Sequence, residues 1–303
     1  MRILIADDNG VSRRILEASL KKWDCDVVSV CDGKEAWDIL QHDNAPRLAI
    51  LDWEMPELTG PEVCRMVRQQ DREAYTYVLL LTSKSEKKDL IEGMDAGADD
   101  YIAKPFDQQE LHVRLRAGQR IIDLQDDLLK AREALRQQAT HDWLTGLKNR
   151  GKIVEMLQIE MSRDDRQQRG LGIVILDLDL FKSVNDAHGH AAGDAVLKEC
   201  ARRMASCIRQ YDSIGRYGGE EFLIVLPGCD RRCTLAQAER MLDVIGGEPI
   251  EFDGGSVSIT ASLGATKAVP GLSAEKLIRV ADDALYRAKH KGRNRVEFID
   301  AET

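Results

Sequence analysis

Two adjacent carboxylates follow a pair of glycines in the segment Arg216-Tyr-Gly-Gly-Glu-Glu-Phe222, which lies between two apolar runs. Glycine readily adopts the positive φ that two-residue hairpin turns require. The segment therefore predicts a β-hairpin that turns at Gly218 and Gly219. Such a turn presents Glu220 and Glu221 together at one end of the hairpin.

Two further carboxylates lie upstream in an apolar segment that is typical of a buried strand. This segment reads Ile173-Val-Ile-Leu-Asp-Leu-Asp-Leu180 and carries Asp177 and Asp179. Carboxylates on adjacent strands can converge on one divalent cation, and Mg²⁺ held in this way usually serves the phosphates of a nucleotide. The two segments together predict a metal-dependent nucleotide site.

A second set of polar residues lies in the first 105 residues, where apolar strands alternate with amphipathic helices. The predicted strands cover residues 2–6, 27–30, 48–51, 78–82 and 101–103. This alternation favours an α/β fold with a doubly wound, five-stranded parallel sheet, whose ligands bind at the carboxyl ends of the strands. Those ends carry Asp7, Asp8, Asp52, Thr82 and Lys104.

These five residue types form a chemical set that can accept a phosphoryl group. Asp7 and Asp8 can hold Mg²⁺, and Asp52 can act as the nucleophile that forms an acyl phosphate. Lys104 offers a positive charge to the phosphoryl oxygens, and Thr82 offers a hydroxyl group. The first domain is therefore interpreted as a phosphoryl acceptor.

A long helical pattern covers residues 106–139 and connects the two halves of the chain. A stripe of seven positions, apolar except for the last, recurs at spacings of four and three: Ala117, Ile121, Leu124, Leu128, Ala131, Leu135 and Gln138. About three heptad repeats indicate a coiled coil in which the helix pairs with a copy of itself. The alternative is a surface helix that packs on its own domain.

The remainder, residues 140–303, predicts an α+β domain with an antiparallel sheet. Helical patterns cover residues 152–161, 192–209, 234–245 and 273–289, and another strand pattern covers 257–265. The seven cysteines include no Cys-x-x-Cys pair, which argues against a disulfide framework and against a zinc site.

The length of 303 residues and the net charge of −9 limit the classes of protein that this chain can belong to. Two domains are expected from the length, and the acidic balance argues against nucleic-acid binding. No apolar run is long enough to cross a membrane, and the amino terminus does not have the organisation of a signal peptide. We therefore expect a cytoplasmic protein without a membrane partner.

Residues 1 to about 120 resemble the receiver domain of response regulators. The matching motifs are Ala-Asp-Asp at 6–8, Leu-Asp-Trp-Glu-Met-Pro at 51–56, Leu-Thr-Ser at 81–83 and Gly-Ala-Asp-Asp-Tyr-Ile-Ala-Lys-Pro-Phe at 97–106. The resemblance implies an upstream histidine kinase and one Mg²⁺, held by Asp7 as an outer ligand, Asp8, the phosphoacceptor Asp52 and the carbonyl of Glu54. It also implies a switch pair, Thr82 and Tyr101, and a phosphate sensor, Lys104.

Residues from about 140 to 300 resemble the palm-like GGDEF domain of the diguanylate cyclase family, with glutamate at the third position of the signature 218–222. The supporting motifs are Asp142-x-Leu-Thr-Gly-Leu-x-Asn-Arg150, Asp177-x-Asp-x-Phe-Lys-x-x-Asn-Asp186, His188-Gly-His with Gly193-Asp194, and Ala288-Lys-x-x-Gly-Arg-Asn294. The resemblance implies condensation of two GTP molecules to cyclic di-GMP in a homodimer, because each domain binds one GTP. Phosphorylation of the receiver is expected to regulate this activity.

The resemblance also assigns candidate roles in the active site, which is expected to hold up to two Mg²⁺ ions. The metal ligands are Asp177, Glu220 and the carbonyl of Leu178, while Glu221 is either a further ligand or an acid–base group. The GTP contacts are Lys182, Lys289 and Arg293 for the phosphates, Asn185 and Asp194 for guanine, and the glycines Gly218 and Gly219. Arg216 is expected either to reach a phosphate or to form a structural salt bridge.

Arg209-Gln-Tyr-Asp212 resembles the inhibitory product site of the same family, with Arg240 as a supporting contact. An Arg–Asp pair at this spacing is otherwise common as a helix salt bridge. Two other functions stay open: a non-catalytic receptor of GTP or cyclic di-GMP, and a cyclase that makes another cyclic nucleotide.

Overall fold

The computed structural model describes residues 1–70, 72–83 and 87–302, without the side chains of residues 87–90. The chain divides into two compact units, Met1–Glu133 and Ala134–Thr303. Each unit is built around its own sheet.

The first unit is a five-stranded parallel sheet with the order β2-β1-β3-β4-β5. Its strands are β1 Arg2–Ala6, β2 Asp26–Val30, β3 Leu48–Asp52, β4 Tyr77–Thr82 and β5 Asp100–Ala103. Its helices are α1 Gly10–Lys22, α2 Gly33–Leu40, α3 Gly60–Gln69, α4 Lys87–Asp95 and the start of α5. Apolar residues of the strands pack on both faces of the sheet, as the strand–helix alternation predicted.

Helix α3 starts close to the end of β3, which brings it against Asp52. Thr59 and Glu62 form a capping box, in which each side chain accepts from the backbone of the other residue and fixes the start of the helix. A Cβ atom on Gly60 would lie 2.4 Å from the carbonyl oxygen of Asp52. Only glycine permits this approach, so Gly60 allows α3 to begin directly beside the carbonyl group of Asp52.

Helix α5 is continuous over Gln108–Thr140. Its buried side packs on the first unit through Leu111, Leu115 and Ile122. The predicted heptad stripe lies elsewhere on the helix, and Leu124, Leu128 and Leu135 are 59%, 63% and 65% exposed. The first part of the helix therefore packs on its own unit, as the alternative predicted, while the heptad stripe is left exposed.

The second unit contains a five-stranded sheet with the order β12-β11-β6-β8-β7 and a small β9–β10 hairpin. Its strands are β6 Leu171–Leu178, β7 Ser213–Gly218, β8 Glu221–Pro227, β9 Ile250–Phe252, β10 Gly255–Val257, β11 Ala261–Lys267 and β12 Arg295–Phe298. Its helices are α6 Arg150–Gln167, α7 Phe181–His188, α8 His190–Cys207, α9 Arg231–Gly246 and α10 Ala274–His290. Strand β6 is central and antiparallel to both of its neighbours.

Several local predictions for this unit were wrong. The hairpin turns at Gly219 and Glu220, because Gly218 is the last residue of β7 and pairs with Glu221 across a β-bulge. The single strand predicted at 257–265 is two strands, and β12, which was not predicted, runs parallel to β11. Helix α7 was also missed.

Cys229 and Cys233 form a disulfide, which the sequence analysis argued against. Asp230 caps α9 by accepting from the backbone N–H of Cys233, at 2.8 Å. This first turn brings the two Cα atoms to 5.0 Å, within the usual range for a disulfide. Among the described residues, none of the helices has the length and hydrophobicity needed to span a bilayer.

Candidate active sites

Three carboxylates meet at the carboxyl edge of the first sheet. The ligand atoms of Asp7, Asp8 and Asp52 all lie within 4.8 Å of one another, with Asp7 and Asp52 buried and Asp8 exposed. Asp7 follows β1 directly and Asp52 ends β3, so adjacent parallel strands bring them together. The structure therefore gathers the acidic residues that the strand ends predicted.

Lys104 offsets part of the negative charge of this acidic cluster. Its Nζ lies 2.9 Å from Asp7 Oδ2 and 2.8 Å from Asp52 Oδ2. Burial raises the pKa of Asp52, and Lys104 opposes this effect. Burial lowers the pKa of Lys104, but its bonds to Asp52 and Asp7 outweigh burial and raise it overall. A single ammonium group compensates three carboxylates only in part, so this set of hard oxygen donors fits Mg²⁺.

The other receiver residues lie around this edge. Thr82 ends β4 and is fully buried, and its carbonyl accepts from the backbone N–H of Lys104 at 2.7 Å. Tyr101 in β5 is half-buried and packs against the core. Glu54 lies on the loop after β3, with its side chain exposed.

The acidic site of the second unit lies where β6 and β8 approach the hairpin turn. Asp177 of β6 pairs in register with Glu221 of β8. Glu220, in the turn, accepts from the backbone N–H of Leu178 at 3.4 Å through its carbonyl. The carboxylates of Asp177 and Glu220 are close enough that repulsion between them contributes to raising the pKa of Asp177, although burial is the larger cause.

Lys289, in the last turn of α10, contacts this acidic site. Its Nζ lies 2.8 Å from Asp177 Oδ2 and partly offsets the rise in the pKa of Asp177. Burial, followed by the charge of Asp177, also raises the pKa of Glu221. The described carboxylates of Asp177, Glu220 and Glu221 do not all lie within 4.8 Å of one another. Their oxygen donors and mutual repulsion nevertheless fit a divalent cation that gathers them.

Asp179 has a different environment from Asp177, although both carboxylates belong to the same motif. Its two oxygens accept from Thr260 Oγ1, Ser262 Oγ and the backbone N–H of Asn294, at 2.7, 2.7 and 3.1 Å. These three donors come from the protein itself and hold both carboxylate oxygens. Asp179 is thus a structural acceptor, whereas Asp177 forms an ion pair with Lys289.

Asn185 and Asp194 are brought together by close packing of α7 against α8. A Cβ atom on Gly193 would lie 1.9 Å from Asn185 Oδ1, so only glycine fits between the two helices at this point. Asp194 follows Gly193 directly and is half-buried. The two predicted guanine contacts therefore lie on adjoining helix ends.

The remaining predicted substrate residues lie at the rim of the second unit. Lys182 is exposed in the first turn of α7, and Arg293 is exposed in the turn after α10. Gly218 has its Cα near the carboxylate of Glu221, since a Cβ atom there would lie 3.4 Å from Glu221 Oε2. Gly219 occupies the turn with φ of 32°.

Arg216 forms the structural salt bridge that was one of its two predicted roles. Its Nη1 lies 3.2 Å from Asp142 Oδ1, and its Nε donates to the carbonyl of Gly219 at 2.8 Å. Hydrogen bonds from Thr145 and the charge of Arg216 lower the pKa of Asp142 against the opposing effect of burial. Asp142 belongs to one of the motifs that predicted the second domain, but the sequence did not predict that it would pair with Arg216.

Arg209 and Asp212 do not pair as they would on a helix. Asp212 Oδ2 accepts from the backbone N–H of Arg209 at 2.9 Å, while the Arg209 guanidinium contacts the Tyr211 hydroxyl at 3.1 Å. Asp212 Oδ1 is buried without a hydrogen-bond partner among the described residues. Burial raises the pKa of Asp212. Arg240 lies on α9 near the same residues: burial raises the pKa of Cys207, the charge of Arg240 opposes this rise, and the charge of Asp212 adds to it.

Comparisons with known proteins agree with the two units. The model of the family described as "Response regulator receiver domain" matches residues 3–116, and the model described as "Diguanylate cyclase, GGDEF domain" matches residues 139–295. The response regulator PleD of Caulobacter vibrioides is 30% identical over 97% of this chain and 65% of its own length. The diguanylate cyclase DgcP of Pseudomonas aeruginosa is 38% identical over 68% of this chain.

The chain spans 65% of PleD and 32% of DgcP, which are both longer proteins. Among solved structures, the coiled coil and GGDEF domain of DgcB from Caulobacter crescentus in complex with c-di-GMP is similar, with a TM-score of 0.57 and 28% identity. That match covers 62% of this chain and 99% of the DgcB chain. The diguanylate cyclase SiaD of Pseudomonas aeruginosa, solved with its activator SiaC, has a TM-score of 0.53 and 35% identity over 63% of this chain and 75% of its own.

Proposed function

The chain belongs to the GGDEF family of diguanylate cyclase domains, with a receiver domain ahead of it, and from that premise we propose that it condenses two GTP molecules to cyclic di-GMP. In each half-reaction a ribose 3′-hydroxyl attacks the α-phosphorus of the other GTP. A new P–O bond forms, the α–β anhydride bond breaks, and the 3′-hydroxyl proton and pyrophosphate leave.

The observation that carries this proposal is the placement of Asp177, Glu220 and Glu221 around one end of the β6–β8 pair, with Lys289 bonded to Asp177. When bound, Mg²⁺ neutralises charge on the phosphates and on the leaving pyrophosphate. Asp177, Glu220 and the Leu178 carbonyl would hold the ion. Glu221 serves as a further ligand or accepts a proton.

The other substrate contacts are made by cationic side chains and by the pair Asn185 and Asp194. Lys182, Lys289 and Arg293 bind the phosphates, and the glycines of the turn leave room for them. Asp194 accepts from guanine N1–H and the exocyclic amine, beside Asn185. Adenine lacks both donors at these positions, so the site favours GTP over ATP.

The receiver unit is proposed to control this activity. A histidine kinase supplies the phosphoryl group, and Asp52 accepts it with Mg²⁺ held by Asp7, Asp8, Asp52 and the Glu54 carbonyl. Lys104 then exchanges its contact with Asp52 for the phosphoryl oxygens. Thr82 and Tyr101 change conformation together and bias the two states of the receiver.

The product requires two GTP-bound domains that face each other, so the active form is a homodimer. The exposed stripe at Leu124, Leu128 and Leu135 supports pairing through α5, because burying it would remove apolar surface from water.

Cyclic di-GMP is also proposed to inhibit the enzyme at Arg209, Asp212 and Arg240. The unpartnered Oδ1 of Asp212 supports this assignment, because guanine N1–H can satisfy it.

Product analysis tests the proposal against both alternatives. The purified chain is incubated with Mg²⁺ and an equimolar mixture of GTP and ATP, with and without beryllium fluoride as an acyl-phosphate mimic. We expect cyclic di-GMP as the product, formed faster with the mimic. Binding of GTP without any product in either condition would indicate a receptor, and a different cyclic nucleotide would indicate another cyclase.

A further inference from the structure

Asp179 connects three parts of the second unit through one buried carboxylate. It directly follows β6, and its backbone N–H donates to the Thr260 carbonyl at 2.8 Å. Its Oδ1 accepts from Ser262 in β11, and its Oδ2 accepts from Thr260 and from the backbone N–H of Asn294. The side chain is buried, with 6% exposed. One carboxylate therefore fixes the end of β6 against both β11 and the turn that follows α10.

That turn has an unusual backbone, which needs support from outside it. Gly292, Arg293 and Asn294 all have positive φ, of 106°, 58° and 46°. Glycine adopts this region freely, but two consecutive non-glycine residues there are disfavoured. The turn is held at one end by the backbone bond from Arg293 to the Ala288 carbonyl, at 3.1 Å. At the other end it is held by the bond from Asn294 to Asp179.

The same end of β6 contacts α10 a second time. Asp177, two residues before Asp179, pairs with Lys289 at 2.8 Å. Lys289 and Arg293 lie on either side of the end of α10, which closes at His290. The strand end thus fixes the helix end at two points, one by an ion pair and one by a charge-assisted hydrogen bond.

We propose that Asp179 is a positioning residue, which holds the 292–294 turn so that Arg293 points at the triphosphate of GTP. The inference rests on the proposed function, because it takes the phosphate contact of Arg293 from there. Asp179 acts through the turn, because three protein donors already occupy its two oxygens. Its substitution is expected to weaken recognition of the phosphates and to leave recognition of guanine intact.

Nucleotide binding without turnover separates these two effects. The probes are 3′-deoxy-GTP, which lacks the attacking hydroxyl, and 3′-deoxy-GMP, both with Mg²⁺ and measured by calorimetry on the full chain. The ratio of the dissociation constant of 3′-deoxy-GMP to that of 3′-deoxy-GTP reports the contribution of the β- and γ-phosphates. We expect Asp179→Ala to reduce this ratio about tenfold while the affinity for 3′-deoxy-GMP stays within about twofold. Loss of folding alone would weaken both ligands equally.

A double-mutant cycle identifies the residue through which Asp179 acts. Arg293→Ala is expected to reduce the ratio by a similar factor, and Asp179→Ala combined with Arg293→Ala to reduce it no further. Asp179→Asn is expected to restore the ratio, because its amide oxygen still accepts from Asn294 and its amide nitrogen donates to the Ser262 hydroxyl. If Asp179→Ala fails to fold, Asp179→Ser replaces it, because serine is too short to reach the Asn294 N–H.

The outcomes distinguish the inference from the function on which it rests. A reduced ratio in both single variants without further loss in the double variant supports the inference. A reduced ratio in Arg293→Ala alone, or fully multiplicative effects in the double variant, overturns the positioning role and leaves the proposed function in place. An unchanged ratio in Arg293→Ala overturns the phosphate assignment and the inference together.

Discussion

Lys289 Nζ lies 2.8 Å from Oδ2 of Asp177, one of the predicted metal ligands of the second unit. Asp177 is buried, with the like charge of Glu220 nearby, and the ammonium group is its counterion. The same arrangement occurs in the first unit, where Lys104 pairs with Asp52 and Asp7. Both candidate sites thus combine buried carboxylates with a lysine that can also contact phosphoryl oxygens.

Lys289→Ala is expected to raise the KM for GTP by roughly 10–100-fold, because a hydrogen bond between charged groups contributes about 1.5–3 kcal/mol. Steady-state kinetics at saturating Mg²⁺ measure this change. Lys291→Ala is the matched control, since Lys291 lies just after the same helix and pairs with Glu297 at 2.8 Å on the surface. Equal effects of the two substitutions would contradict a specific role for Lys289.

Asp52→Ala is expected to abolish the response to beryllium fluoride and to keep the basal rate, because the acceptor carboxylate is lost while the cyclase unit is untouched. Initial rates with and without the mimic provide the measurement. Asp38→Ala is the control, as Asp38 is a carboxylate on α2 that contacts its neighbours Lys34 and Gln41. A full response in Asp52→Ala would remove Asp52 as the acceptor.

Replacing Leu124 and Leu128 by glutamate is expected to weaken self-association by at least about 100-fold, since each buried leucine contributes about 1.5–3 kcal/mol. Analytical ultracentrifugation measures the dissociation constant, and circular dichroism checks the fold. Lys130→Glu tests whether charge alone matters, because Lys130 is exposed on the same helix but outside the stripe. Unchanged association in the double leucine variant would exclude pairing through this surface.

Arg209→Ala is expected to relieve inhibition by cyclic di-GMP and leave the uninhibited rate unchanged. Inhibition should also weaken as the pH falls. Burial raises the pKa of Asp212, and its protonated form can no longer accept from both guanine donors. Inhibition curves across acidic pH for the wild type and for Asp212→Asn measure this. An equal pH dependence in the two proteins would refute titration of Asp212 as the cause.

Much of the first unit follows directly from its sequence. All five predicted strands lie within one residue of the observed bounds, because buried parallel strands are short continuous apolar runs between clear helical patterns. The acidic cluster was predicted by a similar argument, since parallel strands bring their carboxyl ends to one edge of the sheet. Asp7, Asp8 and Asp52 accordingly lie together.

Less of the second unit could be predicted from its sequence, because its details depend on packing between distant segments. The turn was misplaced by one residue because the β-bulge between Arg216 and Gly218 shifts the register, and nothing local marks it. Helix α7 is only two turns long, so its apolar periodicity is too short to identify it. The salt bridge from Arg216 to Asp142 and the donors around Asp179 join residues far apart in the chain, so spacing alone did not reveal them.

The most direct test of the catalytic assignment is the initial rate of cyclic di-GMP formation by Glu220→Gln over a range of Mg²⁺ concentrations. Glutamine keeps the size of the side chain and removes its charge, so the turn should fold while the ion loses a ligand. We expect a rate at least about 100-fold below wild type that added Mg²⁺ does not restore. A wild-type rate with an unchanged Mg²⁺ dependence would contradict the account.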